Sequence, residues 1–249
     1  MPWMRRFWTT LLLAAAGLPV QAGQALVAVA ANFSAPMQGI AEAFAADTGH
    51  VLKLTPGATG ALYAQIRQGA PFDVLLAADA ETPQRLQSDG LAVAGSRFTY
   101  ATGRLVLWSP QAGLVDDQGA VLAGGGFQHL ALANPKLAPY GRAAAEVLQR
   151  RGLANALAPR LVMGQNIAQT YQFVATGNAE LGFVARSQVM AAGGSAWLVP
   201  EALHAPIRQD AVLLRHGADN AAASALLAYL RGPRAMALMR RFGYGGDGP

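Results

Sequence analysis

The chain has 249 residues, 53% of them hydrophobic and 13% charged, which excludes a disordered chain and leaves enough apolar material for one large domain or two modest lobes. It has no cysteine, so disulfides, thiolate metal sites and cysteine nucleophiles are excluded together. The net charge is +5, but the arginines are scattered apart from the pairs Arg5-Arg6, Arg150-Arg151 and Arg240-Arg241, the pattern of a solvated surface and not of a nucleic-acid-binding patch.

The first segment, MPWMRRFWTTLLLAAAGLPVQAG, places Arg5 and Arg6 before a short apolar run and small residues near Ala22. That is the three-part layout of a secretory signal, and the run falls short of the roughly 20 residues a membrane span needs. Residues 1–22 are therefore read as a signal peptide cleaved after Ala22, which leaves a mature chain of net charge +3. A mild positive field of this kind draws small anions toward a cleft.

From Ala25 the sequence alternates short apolar runs with helical periodicity. ALVAVA reads as a buried strand, and the helix after it, from Pro36 to Phe44, carries Met37, Ile40, Ala41 and Phe44 on one face and ends at Gly49. VLKLT is a second strand, GATGALYAQI a turn feeding a helix, FDVLLAA a third strand, and Glu81 to Gln87 a helix. LAVAGSRFTYATG reads as a loop, after which the pattern restarts. RLVLW and HLALA are strands, Pro139 to Arg150 is a helix closed by Gly152, and LVMG, a helix from Gln169 to Thr176, and LGFVA follow. AVLL is a last strand before helices at Asn220–Leu230 and Arg234–Phe242. Strands alternating with helices predict an α/β protein, with mainly parallel sheets flanked by helices. Two such series without a polar linker predict two lobes, residues 23–101 with 208–249 and residues 102–207, that share crossing segments and face each other across a cleft.

Ligands of open α/β sheets sit beyond the carboxyl ends of the strands, where helix N-termini gather. VAVAANFSAP runs from a strand into a helix start at Asn32, Ser34 and Pro36, and LTPGATGAL does so at Thr59. Ordinary capping explains either junction alone. Two of them after neighbouring parallel strands aim their free N–H groups at one spot, and such groups attract anions. The glycine-rich turn lacks the lysine of a nucleotide-binding phosphate loop. The second series offers a matching pair: NPKLAPYGRAAAEVL places Tyr140 and Gly141 at a helix start, and GQNIAQTYQFV places Asn166, Ile167 and Ala168 at another. A phenol is a donor that keeps its proton near neutral pH.

The segments ANF, GATGALYAQIRQGAPFDVLLAAD, GSRFTYATGRLVLWS, NPKLAPYG and ATGNAELGFVA, in this order, resemble the periplasmic molybdate-binding proteins of ABC importers, and the similarity runs from about Ala25 to Tyr244. The resemblance implies a two-lobed periplasmic binding fold that closes over a tetrahedral oxyanion, molybdate and with it tungstate, and a membrane permease as partner. It implies anion contacts at Asn32, Thr59, Tyr140 and the backbone amide of Ile167, with Ala31, Phe33, Gly60 and Ala168 as additional positions. Some members carry a tyrosine where this chain has Ala185, and a threonine where it has Ala31; Tyr140 is then the residue to supply a phenol. The ligand set contains no metal cation and no cofactor, and a soluble periplasmic monomer is implied.

The residues themselves restrict the anion. Phosphate often carries a proton at neutral pH and benefits from a carboxylate acceptor, yet none of the four positions is acidic, and Asp79 in LLAADAE reads as a helix cap. A proton-free oxyanion is favoured, with molybdate, tungstate and sulfate all open; preference for molybdate comes from the resemblance. The four histidines, His50, His129, His204 and His216, are dispersed, and neither a GxSxG elbow nor an HExxH pair occurs, so no enzyme is expected. A carrier of another oxyanion such as sulfate, or a ligand-sensing module for a membrane receptor, are the alternative readings.

Overall fold

The computed structural model describes residues 22–244, so the expected signal peptide, Ala22 apart, lies outside the described residues. In chain order the elements are β1 (Gln24–Ala30), α1 (Ser34–Thr48), β2 (Val51–Gly57), α2 (Thr59–Arg67), β3 (Val74–Leu76), α3 (Glu81–Ser88), β4 (Phe98–Gly103) and β5 (Leu105–Ser109). They continue with α4 (Val121–Gly124), β6 (Leu130–Ala133), α5 (Pro139–Arg150), α6 (Ala154–Leu157), β7 (Leu161–Gly164), α7 (Ile167–Ala175), β8 (Leu181–Ala185) and α8 (Arg186–Val189). The last are β9 (Ser195–Leu198), β10 (Ile207–Leu213), α9 (Ala221–Leu230) and α10 (Pro233–Arg241). No described helix is long and apolar enough to cross a membrane.

The strands form two five-stranded sheets with one plan, β2-β1-β3-β10-β4 and β7-β6-β8-β5-β9. In each, three parallel strands make one side: β1 pairs with β2 and β3, and β6 with β7 and β8. An antiparallel strand then joins the trio to an edge strand, β10 between β3 and β4, and β5 between β8 and β9. The sheets are thus mixed around a parallel core. Helices cover both faces, which explains why β1 reads as an unbroken apolar run. Val27 and Val29 pack with Met37, Ile40 and Phe44 of α1 on one face. Ala28 packs with Leu62 and Ile66 of α2 on the other. In the second sheet Leu105, Leu107 and Leu130 meet Val147 and Leu148 of α5, while Trp108 and Ala131 meet Val174 of α7 from the opposite side.

The chain passes between sheets twice, through Arg104 and through the segment from Val199 to Pro206. An ion pair of Arg104 with Glu201, at 3.0 Å, ties the two crossings together. Two strands depart from the sequence reading. β4 occupies FTYATG, read above as loop, because its exposed edge admits Thr99 and Thr102, and its other edge pairs with β10. β9 is a short edge strand whose residues Ser195 and Ala196 break the apolar signal.

Candidate functional site

The parallel trios set the geometry. The registers bring Ala30 opposite Gly57 at the ends of β1 and β2, and Ala133 opposite Gly164 at the ends of β6 and β7. Each of these strands is followed by a helical start: a 3₁₀ turn over Ala31–Phe33 that runs into α1, then α2, α5 and α7. Four helix N-termini, two from each lobe, converge on a small cleft between the sheets. The cleft, mouth included, encloses about 200 Å³. Its first-lobe wall is Ala30, Ala31, Asn32, Gly57, Ala58, Thr59 and Ala78, and its second-lobe wall is Ala138, Pro139, Tyr140, Asn166 and Ile167. No charged side chain lines it.

Asn32, Thr59, Tyr140 and Ile167, which lie far apart in the chain, are brought together here, along with Ala31. All are nearly closed off from solvent: Asn32 is 3% exposed, Thr59 1% and Tyr140 2%. The amides of Asn32, Thr59, Tyr140 and Ile167 have no acceptor among the described residues, as expected for first-turn N–H groups. At α7 the Asn166 side chain caps the amide of Gln169, at 3.0 Å, so the free donors there are Ile167 and Ala168. At α5 Pro139 opens the helix, which has no amide of its own to satisfy. The Thr59 hydroxyl accepts the amide of Ala78, at 3.0 Å, and so keeps its own proton to donate.

The other expected positions behave differently. Phe33 is buried, with its ring edge-on to Tyr100 at 4.8 Å and to Tyr244 at 5.2 Å, and it serves the core. The Gly60 amide is already committed: it donates across the cleft to Leu137 O, at 2.8 Å. A Cβ at Gly60 would stand 3.1 Å from that oxygen, so glycine is what lets the lobes approach. Ala168 packs its methyl against the second-lobe core and does not line the cleft. The Tyr140 phenol, expected as the donor, is turned away into a buried cluster where Gln209 Nε2 donates to its oxygen over 3.4 Å. Burial pushes this phenol well above its usual pKa, so it stays protonated. What Tyr140 leaves open on the cleft side is its amide.

Asp79 acts as the cap its position suggested, accepting the amide of Thr82 at 2.9 Å. It has a further role. Arg142, in the first turn of α5, reaches across to Asp79 at 2.7 Å and to Glu81 at 3.1 Å, so the lobes are bridged just outside the cleft. Burial raises the Asp79 carboxyl pKa, opposed by the Thr82 hydrogen bonds and by Arg142.

Behind the cleft lies a set of polar residues that the sequence reading missed: Gln209 of β10, Tyr100 of β4, Tyr244 and Ser187. The available signal was IRQDAVLL, where Gln209 and Asp210 stand side by side inside an apolar strand and are both fully buried. Asp210 is accounted for by Arg97 at 3.0 Å and Thr99 at 2.7 Å.

Comparison with known proteins agrees with this architecture. The chain is 58% identical over 229 residues to the molybdate-binding protein ModA of Azotobacter vinelandii, covering 90% of this chain and 91% of the other. It is 52% identical to the molybdate-binding protein ModA of Rhodobacter capsulatus, covering 91% and 90%. The solved structure of the Azotobacter vinelandii periplasmic molybdate-binding protein superposes with a TM-score of 0.87 at 42% identity, over 90% of this chain and all of that one. Residues 25–245 match the family described as bacterial extracellular solute-binding protein, and the chain belongs to that family.

Proposed function

We propose that this protein captures molybdate, and tungstate with it, in the periplasm and delivers it as a soluble monomer to the membrane permease of an ABC importer. The observation that carries this reading is the convergence of four helix N-termini on a cleft without a charged side chain. The donors are the amides of Asn32, Thr59, Tyr140 and Ile167 with the Thr59 hydroxyl. Each charge-assisted hydrogen bond is worth roughly 1.5 to 3 kcal/mol net, so five of them offset a substantial dehydration cost. Each helix start adds about half a positive charge without a cation. The lining offers no carboxylate to accept a proton, which disfavours hydrogen phosphate. The names of the relatives at 58% and 52% identity point to molybdate within the oxyanions that remain.

Calorimetry of the purified mature chain against molybdate, tungstate, sulfate and phosphate tests the reading. Heat of binding is expected with the first two and little with the others; equal binding of all four would refute the selectivity, and binding of sulfate alone would reassign the ligand.

The Gly60 contact gives a second expectation. Gly60→Ala crowds Leu137 in the closed form and is expected to speed molybdate release about five- to tenfold, by roughly 1 kcal/mol of overpacking. Stopped-flow dissociation checks this, with an unchanged melting temperature of the ligand-free chain as control. A native release rate would show that the lobes close without that contact.

A further inference from the structure

Between the cleft and the crossing strands lies a buried cluster of uncharged polar side chains with Gln209 at its centre. Its Oε1 accepts from Asn32 Nδ2 at 2.9 Å and from the Tyr100 hydroxyl at 3.0 Å, and its Nε2 donates to Tyr140 Oη over 3.4 Å. Asn32 and Tyr100 belong to the first lobe and Tyr140 to the second. Gln209 itself sits where β10 shifts register against β4. One amide therefore touches a residue of the cleft wall and the opposite lobe together. Space is tight there, since a Cβ on Gly103 would fall 2.2 Å from Tyr140 Oη and 2.7 Å from Gln209 Nε2.

The hydrogen-bond inventory singles out Gln209. Both Nδ2 protons of Asn32 are used within the cluster, toward Gln209 Oε1 and toward Tyr244 Oη at 2.9 Å. Its Oδ1 joins no hydrogen bond among the described residues, and no buried side-chain nitrogen or oxygen there lacks a partner, so Oδ1 is the atom left on the cleft. A carbonyl oxygen in that place repels an oxyanion. Tyr100 is also over-subscribed: its single proton has two acceptors at 3.0 Å, Ala77 O and Gln209 Oε1.

Half-turns of both amides reverse this with little movement of heavy atoms. Gln209 Nε2 then donates to Tyr100 Oη and to Asn32 Oδ1, and Tyr100 keeps Ala77 O. Gln209 Oε1 accepts a hydrogen bond from the Tyr140 hydroxyl, Tyr244 Oη turns its proton from Asn32 O to Asn32 Oδ1 while Ser187 Oγ still donates to Asn32 O at 3.1 Å, and Asn32 Nδ2 faces the cleft as a donor. We propose that Gln209 is the positioning residue for the anion: its amide turns in concert with that of Asn32, converts Asn32 from acceptor to donor toward the ligand, and accepts a hydrogen bond from the Tyr140 hydroxyl of the facing lobe, which keeps its proton. Anion capture and lobe closure are coupled through this one side chain. The proposal rests on the molybdate reading above.

Two measurements with molybdate test it. In the native chain, the side-chain amide resonances of Asn32 and Gln209 should shift together during a titration followed by NMR, although Gln209 does not line the cleft. In calorimetry, Gln209→Met should weaken binding about tenfold or more, the worth of one well-placed donor. The double variant Gln209→Met/Tyr140→Phe should lose no more than the larger single loss, because both act through one contact. A native chain that gives no heat overturns the molybdate reading and this proposal with it. Native binding together with a Gln209→Met affinity within twofold of native overturns the proposal alone. So does a Gln209 amide resonance that stays still while Asn32 shifts, a result that needs no variant to fold.

Discussion

Replacing Thr59 with alanine is expected to lower molybdate affinity about ten- to hundredfold, which corresponds to roughly 1.5 to 3 kcal/mol for a lost hydrogen bond to a charged group. The hydroxyl sits at the start of α2 on the cleft wall, 1% exposed. Because it already accepts the Ala78 amide at 3.0 Å and donates to no described residue, its proton is free for the ligand. The same change leaves the Ala78 amide unpaired, so the ligand-free chain should also melt at a slightly lower temperature. Thr59→Ser keeps the hydroxyl and should restore most of the affinity. Calorimetry of the three proteins decides the matter. If Thr59→Ala binds as tightly as the native chain, the anion sits elsewhere.

Ile167→Pro removes a backbone donor without removing a helix. Ile167 is the first residue of α7, a position where proline's fixed φ suits the helix and its missing N–H costs no helical bond. The preceding residue, Asn166, is extended at φ −148° and ψ 175°, as a residue before proline prefers. Pro139 already fills the equivalent place in α5. Affinity for molybdate should fall by about ten- to hundredfold, again the worth of one charge-assisted hydrogen bond. Ile167→Val, which trims the side chain and keeps the amide, should stay near native and controls for lost packing. Native affinity in Ile167→Pro would remove the Ile167 amide from the donor set.

Much of the fold is legible in the sequence because its strands are short apolar runs, most of all the inner parallel ones, β1, β3, β6 and β8, which are covered on both faces. LVMG and LGFVA are apolar from end to end and match β7 and β8 residue for residue. Helix α5 announces itself by Pro139 at its start and Gly152 past its end. β4 does not, because an edge strand need bury only some of its residues, and FTYATG resembles a polar connection until β10 arrives from more than a hundred residues later to pair with it. For β5 and β10 the apolar runs RLVLW and AVLL read as strands, but not as antiparallel ones, because their direction depends on the crossings, which are long-range.

The candidate site divides along a similar line. Helix starts are local events, so Asn32, Thr59, Tyr140 and Ile167 are visible in short windows, and the shared strand registers do the rest. The direction of a side chain is not local. Tyr140 could be seen to stand at the start of α5, but whether its hydroxyl or its amide faces the cleft depends on Gln209, which is 69 residues away. The Gly60 amide likewise looked free until Leu137 of the other lobe was in place to accept it.

A pocket lined by neutral groups alone leaves its cargo's valence uncancelled. A doubly charged guest takes the net charge of residues 23–249 from +3 to about +1, so most of the excess positive charge of this stretch is offset on loading. The empty and the filled carrier then differ in their long-range field as well as in shape, and a docking site on the importer with a negative rim would tell them apart before contact.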